Sequence, residues 1–314
     1  MLSTELVKLT ALMERTSGSP EIKIGLIDGP VVTQHADLVA ERFHAIAENN
    51  GSACTQVNSM ACQHGTFIAG ILSAKRTSPA PAICPNCTVL VRPIFSETTA
   101  GREHMPSATP HALAKAILEC VNAGARVINL SLALAQPSTK GEQALEQALD
   151  LALRRGVLIA AAAGNQGTLG TSSITRHPWV IPVVACDMQA RPINESNLGG
   201  SIGARGLSAP GDRITSLGTK GPSLTLGGTS VAVPFVTGAI ALLWSEFPGA
   251  TAAQIKLALM RQPQNFRQTG APIHAGFALA RALTPRSASV VPPLLDAEAA
   301  YQALLAGNTR RQIA

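Results

Sequence analysis

The chain predicts an α/β protein, a mostly parallel sheet sandwiched between helical layers. Three observations carry this expectation. Short apolar strands alternate with helical stretches from residue 22 to residue 186, the order in which each helix returns the chain to add a parallel strand. The 314 residues are 46% hydrophobic but only 3% aromatic, so the core is built from Ala, Val, Ile and Leu, which suits helices packed closely on a sheet. No repeat of roughly 20–50 residues and no compositional break divides the chain. One domain over 21–306 is expected, preceded by a helical extension at 1–20 and followed by a flexible tail at 307–314.

Leu6, Leu9, Leu12 and Met13 stand near helical spacing, and residues 16–21 break that pattern. Ile22–Ile27 is a buried strand that ends at Asp28-Gly29-Pro30. Residues 35–62 are irregular, with Asn49-Asn50-Gly51-Ser52 a loop. A helix of small and apolar residues begins at His64, followed by a loop at 75–83, a strand at Thr88–Ile94 and a polar loop at 96–110. The helix His111–Asn122 closes at Gly124, and the strand Arg126–Ser131 follows. Glu142–Arg155 is an amphipathic helix with leucines at 145, 149 and 153, closed by Gly156. The strand from Val157 ends in Gly164-Asn165, and Val180–Cys186 is another. Residues 187–228 suit short strands and loops. A buried helix runs from Val231 to Trp244, a shorter one from Thr251 to Met260, and a last one from Leu294 to Leu305, closed by Gly307, with 262–292 irregular between them.

The net charge of +6 is spread out, with no basic block interleaved with aromatics, so nucleic-acid binding is not expected. The apolar run from Val231 to Trp244 is too short to cross a membrane and contains Pro234. The N-terminus does not read as a signal peptide, so a cytoplasmic location with reduced thiols is expected for the six cysteines. Cys84-x-x-Cys87 precedes a strand and lacks a second ligand pair, which favours loop or buried thiols over zinc. Cys62 reads as a packing residue, and Cys54 and Cys62 as a pair only in an exported protein.

Three residues then stand at element boundaries in the order Asp28, His64, Ser230. Each has a bland reading. Asp-Gly-Pro is good turn chemistry, a lone histidine is commonly structural, and Thr229 or Ser230 after Gly227-Gly228 serves as an N-cap. Together they satisfy a chemical need. A serine hydroxyl is a poor nucleophile until a base removes its proton; histidine does so near neutral pH, and a carboxylate fixes its tautomer. Asp…His…Ser is one of the orders in which this triad occurs. Asn165, a side-chain amide at a strand end, is a candidate donor to an oxyanion.

Asp28-Gly29 after an apolar strand, His64-Gly65-Thr66, Ala163-Gly164-Asn165 and Gly228-Thr229-Ser230-Val231-Ala232-Val233-Pro234 resemble the four signatures of the subtilisin-like serine proteases, in the family's order. The resemblance implies a three-layer α/β/α sandwich with an about seven-stranded sheet. It also implies Asp28 as orienting group, His64 as base, Ser230 as nucleophile and Asn165 with the Ser230 N–H as oxyanion donors. Ser131-Leu132-Ala133 resembles the segment that pairs with an extended substrate, with Ala133 where the family usually has Gly. Ala161–Ala163 with Gly164 resembles a wall of the pocket for the residue before the scissile bond, and Thr229 belongs to the same substrate-facing set. Asp28-Gly-Pro and Cys84-Pro-Asn-Cys with Pro93-Ile-Phe95 are similar to the subtilisin-like proteases of cyanobactin maturation.

Departures narrow the expectation. Phe67 and Phe235 stand where the family often has histidine, and Val231 where methionine is frequent. Asp37 matches a calcium-holding carboxylate of secreted relatives, but the loop 75–82 has no Asp, Glu or Asn, so neither calcium nor another metal or cofactor is expected. Only about 20 residues precede the first strand. No large prodomain is therefore expected to be removed, and segment 3–15 either docks on the domain or covers its cleft. The expected activity is peptide-bond hydrolysis on an extended peptide, such as a leader-bearing precursor. A transpeptidase or macrocyclase using the same triad, or a non-catalytic peptide-binding module, are the alternatives. The short interval between His64 and Thr88 leaves no room for a capping insertion, which favours hydrolysis.

Overall fold

A computed structural model describes residues 2–46, 54–95, 97, 108–132, 143–221, 223–261 and 289–313. The first helices are α1 (Ser3–Leu6) and α2 (Leu9–Arg15). Next come β1 (Lys23–Asp28), β2 (Phe43–Ala45), α3 (Met60–Ser73), β3 (Thr88–Pro93), α4 (Pro110–Asn122) and β4 (Val127–Leu130). They are followed by α5 (Gln143–Arg155), β5 (Leu158–Ala162), α6 (Ser173–Arg176), β6 (Val180–Cys186), α7 (Gly200–Arg205) and β7 (Leu207–Pro210). The antiparallel pair β8 (Ile214–Leu217) and β9 (Ser223–Leu226) leads into α8 (Thr229–Glu246), α9 (Ala252–Met260) and α10 (Ala297–Ile313).

Local chemistry explains the boundaries. Ser59 caps α3 by accepting from the Cys62 N–H, and Thr109 caps α4 with Pro110 behind it, where its missing N–H costs nothing. Thr251 and Gln254 form a reciprocal capping box on α9. Gly124 and Gly156 follow α4 and α5 in the left-handed conformation (φ of +83° and +66°), as their positions predict.

The sheet has seven parallel strands in the order β2-β3-β1-β4-β5-β6-β7, the expected architecture. Alternate residues feed two cores. On β5, Leu158, Ala160 and Ala162 join α3 and α8, while Ile159 and Ala161 join α4 and α5. The chain passes from β1 to β3 on one side and then returns to place β4 on the other. The carboxyl end of β1 therefore lies at a switch of direction, where open α/β sheets bind ligands.

Several expectations are revised. The helix carrying His64 begins at Met60, because Ser59 supplies a cap upstream. β2 and α6 are short elements without a clear sequence pattern. The last helix does not stop at Gly307 but continues to Ile313, in place of a tail. Segment 3–15 does not cover the cleft: Val7, Leu9 and Leu12 are fully buried in the core shared with α8 and α10. Lys8 pairs with Asp296 at 2.6 Å, and Arg15 lies over the Tyr301 ring. Cys54 and Cys62 are joined as a disulfide, contrary to the expectation of reduced thiols, whereas Cys84 and Cys87 are buried and free. Helix α8 is long and apolar enough to cross a membrane by composition, but it is a core helix buried over most of its length. The loops expected at 49–52 and over most of 96–110 and 262–292 lie outside the described residues.

Candidate active site

Asp28 is the last residue of β1, fully buried, and its Oδ1 accepts from the Gly29 N–H at 2.6 Å. His64 sits in the second turn of α3, with Nδ1 2.7 Å from Asp28 Oδ1. Two glycines allow this approach. A Cβ on Gly29 would meet the Ala61 carbonyl at 1.9 Å, and one on Gly65 would meet the Gly29 and Pro30 carbonyls at 2.4 and 2.5 Å. Helix α3 therefore lies directly on the turn after β1, and the Asp28-Gly29 and His64-Gly65 pairs act as one contact.

The Nε2 of His64 lies 3.0 Å from Ser230 Oγ. Burial alone would lower the His64 pKa, but the charge of Asp28 and its hydrogen bond outweigh that, leaving it raised. The imidazole is thus a stronger base than free histidine, with its tautomer set by the carboxylate.

Ser230 is the second residue of α8, so its N–H has no carbonyl to bond within the helix. Gly228, at φ +120°, turns the chain into that helix in a conformation glycine tolerates. Pro234 lies four residues beyond Ser230 and lacks the N–H that would otherwise bond the Ser230 carbonyl. The Ser131 hydroxyl takes that place, donating to the carbonyl at 2.9 Å. Ser131 in turn accepts from Asn129 Nδ2 at 2.7 Å, and Asn129 Oδ1 accepts from the Thr237 hydroxyl at 3.0 Å. All three side chains are buried. This relay from β4 to the next turns of α8 holds the Ser230 backbone.

Asn165 follows β5 and is exposed. Its Oδ1 accepts from the Thr229 N–H at 2.8 Å and the Thr229 hydroxyl at 2.9 Å, which fixes the orientation of the amide. Thr229 also accepts from the Gly164 N–H at 3.2 Å. The structure therefore links Asp28, His64 and Ser230 by hydrogen-bond distances and places Asn165 beside them through Thr229.

The expected substrate-facing residues divide differently. Ser131, Leu132, Ala163 and Thr229 have buried side chains. Ser131 and Thr229 hold the site's own groups, Leu132 packs with the α4–α5 layer, and Ala163 packs with Val184 and Ile202. The Gly164 main chain is likewise engaged, its N–H by the Thr229 hydroxyl and its carbonyl by the Asn197 N–H, and Ala133 lies outside the described residues. Asn129 and Thr237 escaped the sequence reading, since a strand asparagine and a helix threonine carry no motif. Near Asp37, the Lys75 ammonium donates to the Ala36 carbonyl at 2.7 Å.

A parallel α/β sheet with a serine, a histidine and an aspartate linked at its carboxyl edge defines a class of serine hydrolases. Residues 19–277 match the model of the subtilase family, and the chain belongs to that family. It is accordingly a subtilisin-like serine peptidase, a hydrolase acting on peptide bonds. Among similar proteins, subtilisin DY of Bacillus licheniformis is 28% identical over 256 residues, covering 80% of this chain and 86% of its own. The thermostable alkaline protease of Halalkalibacterium halodurans is 30% identical over 68% of this chain, which spans 56% of that protein. The prenylagaramide maturation protease PagA superposes with a TM-score of 0.75 at 27% identity, covering 94% of this chain and 98% of its own. The patellamide maturation protease PatA superposes with a TM-score of 0.70 at 28% identity, covering 92% and 98%. The PatG macrocyclase domain, at 23% identity and a TM-score of 0.69, shares the fold.

Proposed function

We propose that this chain is an endopeptidase that cuts an extended peptide, in the form of a leader-bearing precursor, through an acyl-enzyme on Ser230. The observation that carries it is the placement of His64 between Asp28 and Ser230, at 2.7 and 3.0 Å. As Ser230 Oγ attacks the scissile carbonyl carbon, its proton passes to His64 Nε2. Asp28 stabilises the imidazolium that forms. The carbonyl oxygen gains negative charge and is met by Asn165 Nδ2 and the Ser230 N–H. Collapse breaks the C–N bond, and His64 returns the proton to the leaving amine. Water then attacks the acyl group by the same route, and His64 hands its proton back to Ser230 Oγ.

The precursor as substrate is supported by the named roles of PagA and PatA. Hydrolysis is favoured over transpeptidation because α3 ends at Ser73 and β3 starts at Thr88, leaving a short connection in place of a capping insertion. The test is fluorophosphonate labelling followed by cleavage of precursor peptides with product masses read out. We expect labelling that is lost in Ser230→Ala, and products that carry one added water. Folded protein that resists labelling would overturn the catalytic assignment, and cyclic products without added water would overturn hydrolysis.

A further inference from the structure

Beside the triad lies a second cluster of reactive groups that the peptidase reading leaves unused. The sulfurs of Cys54 and Cys62 and one oxygen of Glu97 lie within 4.8 Å of one another. Cys62 is fully buried in the first turn of α3, two residues before His64. Glu97 follows β3 and clamps the loop before α3: Oε1 accepts from the N–H groups of Thr55 at 2.8 Å and Gln56 at 2.7 Å, and Oε2 from the Thr55 hydroxyl. The same Oε1 lies 2.6 Å from Cys62 Sγ. A disulfide sulfur has no proton with which to answer a carboxylate at that distance. A thiol does, so the contact suits the reduced form of Cys62.

We propose that, once its disulfide is reduced, Cys54, Cys62 and Glu97 form a three-ligand site for a zinc-class divalent metal. Two thiolates and one carboxylate are an ordinary zinc donor set, with the fourth position left to water. Reduction takes two electrons and two protons from a dithiol, which becomes a disulfide, or two electrons from a phosphine and two protons from water, whose oxygen ends on the phosphine oxide; either way it yields two thiols. Zinc then displaces both thiol protons. The sulfurs must part to about 3.7 Å, as follows from Zn–S bonds of about 2.3 Å at a tetrahedral angle. Their Cα atoms are 5.6 Å apart, so side-chain rotation with a small shift of the loop provides this separation. Disulfide and metal then serve one end: each ties residues 54–59 to the start of the helix that presents His64. In reduced, metal-free protein that loop keeps its hydrogen bonds to Glu97, to the Thr219 hydroxyl and to the Val31 carbonyl but loses its covalent tie to α3.

The site does not depend on the proposed peptidase mechanism, and its test reads metal rather than cleavage. The full chain, reduced with a phosphine that leaves zinc free, is titrated with zinc against a chromophoric chelator and separately with cobalt(II). We expect one equivalent bound in the reduced protein and none in the oxidised protein. A thiolate-to-cobalt absorption band should appear, together with a rise in Tm of the reduced form on adding zinc. Glu97→Gln keeps an acceptor for the loop N–H groups and should weaken zinc by about tenfold or more. Cys54→Ser should abolish the cobalt band. Reduced protein that binds zinc no more tightly than oxidised protein would overturn the proposal, as would full binding in Cys54→Ser.

Discussion

His64 works as a base only while its ring is neutral, so its environment sets the pH range of the enzyme. Because Asp28 raises its pKa against the opposing effect of burial, the acidic limb of kcat/KM should fall above about 6.5, the value for free histidine. Asp28→Asn removes the charge that raises the pKa and leaves the burial that lowers it. We expect the acidic limb to move to lower pH and kcat to drop by about 10⁴, measured on one peptide over pH 5–9. The raised pKa also has a stability sign. Its contribution is present below the unfolded value of about 6.5 and is lost as pH rises through the folded pKa. Asn165→Gly deletes one oxyanion donor and should lower kcat by about 10²–10³ with KM little changed.

The two glycines between β1 and α3 decide how closely base and carboxylate meet. Gly65→Ala would set a methyl 2.4 Å from the Gly29 carbonyl, so backbone rather than a flexible side chain must move. A stability loss of about 1–3 kcal/mol in denaturant unfolding is expected, with a fall in kcat as the 2.7 Å His64–Asp28 bond lengthens. The helix α8 is tied to β4 by the relay from Thr237 to the Ser230 carbonyl. Thr237→Val leaves Asn129 Oδ1 buried without its donor, at a cost of about 1–3 kcal/mol. If the relay positions the nucleophile, Thr237→Val lowers kcat and fluorophosphonate labelling rate while Thr237→Ser restores both. Equal activity in both variants would reduce the relay to packing.

Across the whole molecule, the N-terminal segment is structural. Val7, Leu9 and Leu12 are fully buried against α8 and α10, each worth about 1.5–3 kcal/mol. Together they rival the net stability of a domain, about 5–15 kcal/mol. Removing residues 1–16 should therefore lower Tm sharply and abolish labelling of Ser230. Higher activity after truncation would instead mark the segment as a lid. The segment's helical spacing is visible in sequence, but its partner is not, because α10 follows nearly 300 residues later in the chain and only folding brings them together.

Local rules made much of the protein readable. Strand and helix periods, caps at Thr109 and Thr251, and glycines after α4 and α5 are short-range features, and the sheet with both helical layers follows from their alternation. Asp28, His64, Asn165 and Ser230 stood out as candidates too, because each sits inside a short recognisable run. What remained hidden depends on groups distant in sequence. Asn129 and Thr237 matter because β4 lies beside α8. Ser131 and Thr229 turn inward to hold the site rather than outward to hold a substrate, because Pro234 leaves one carbonyl in need of a donor and Asn165 needs a fixed amide. Spacing along the chain shows which chemistry is present; packing decides which hydrogen bonds each group is left to make.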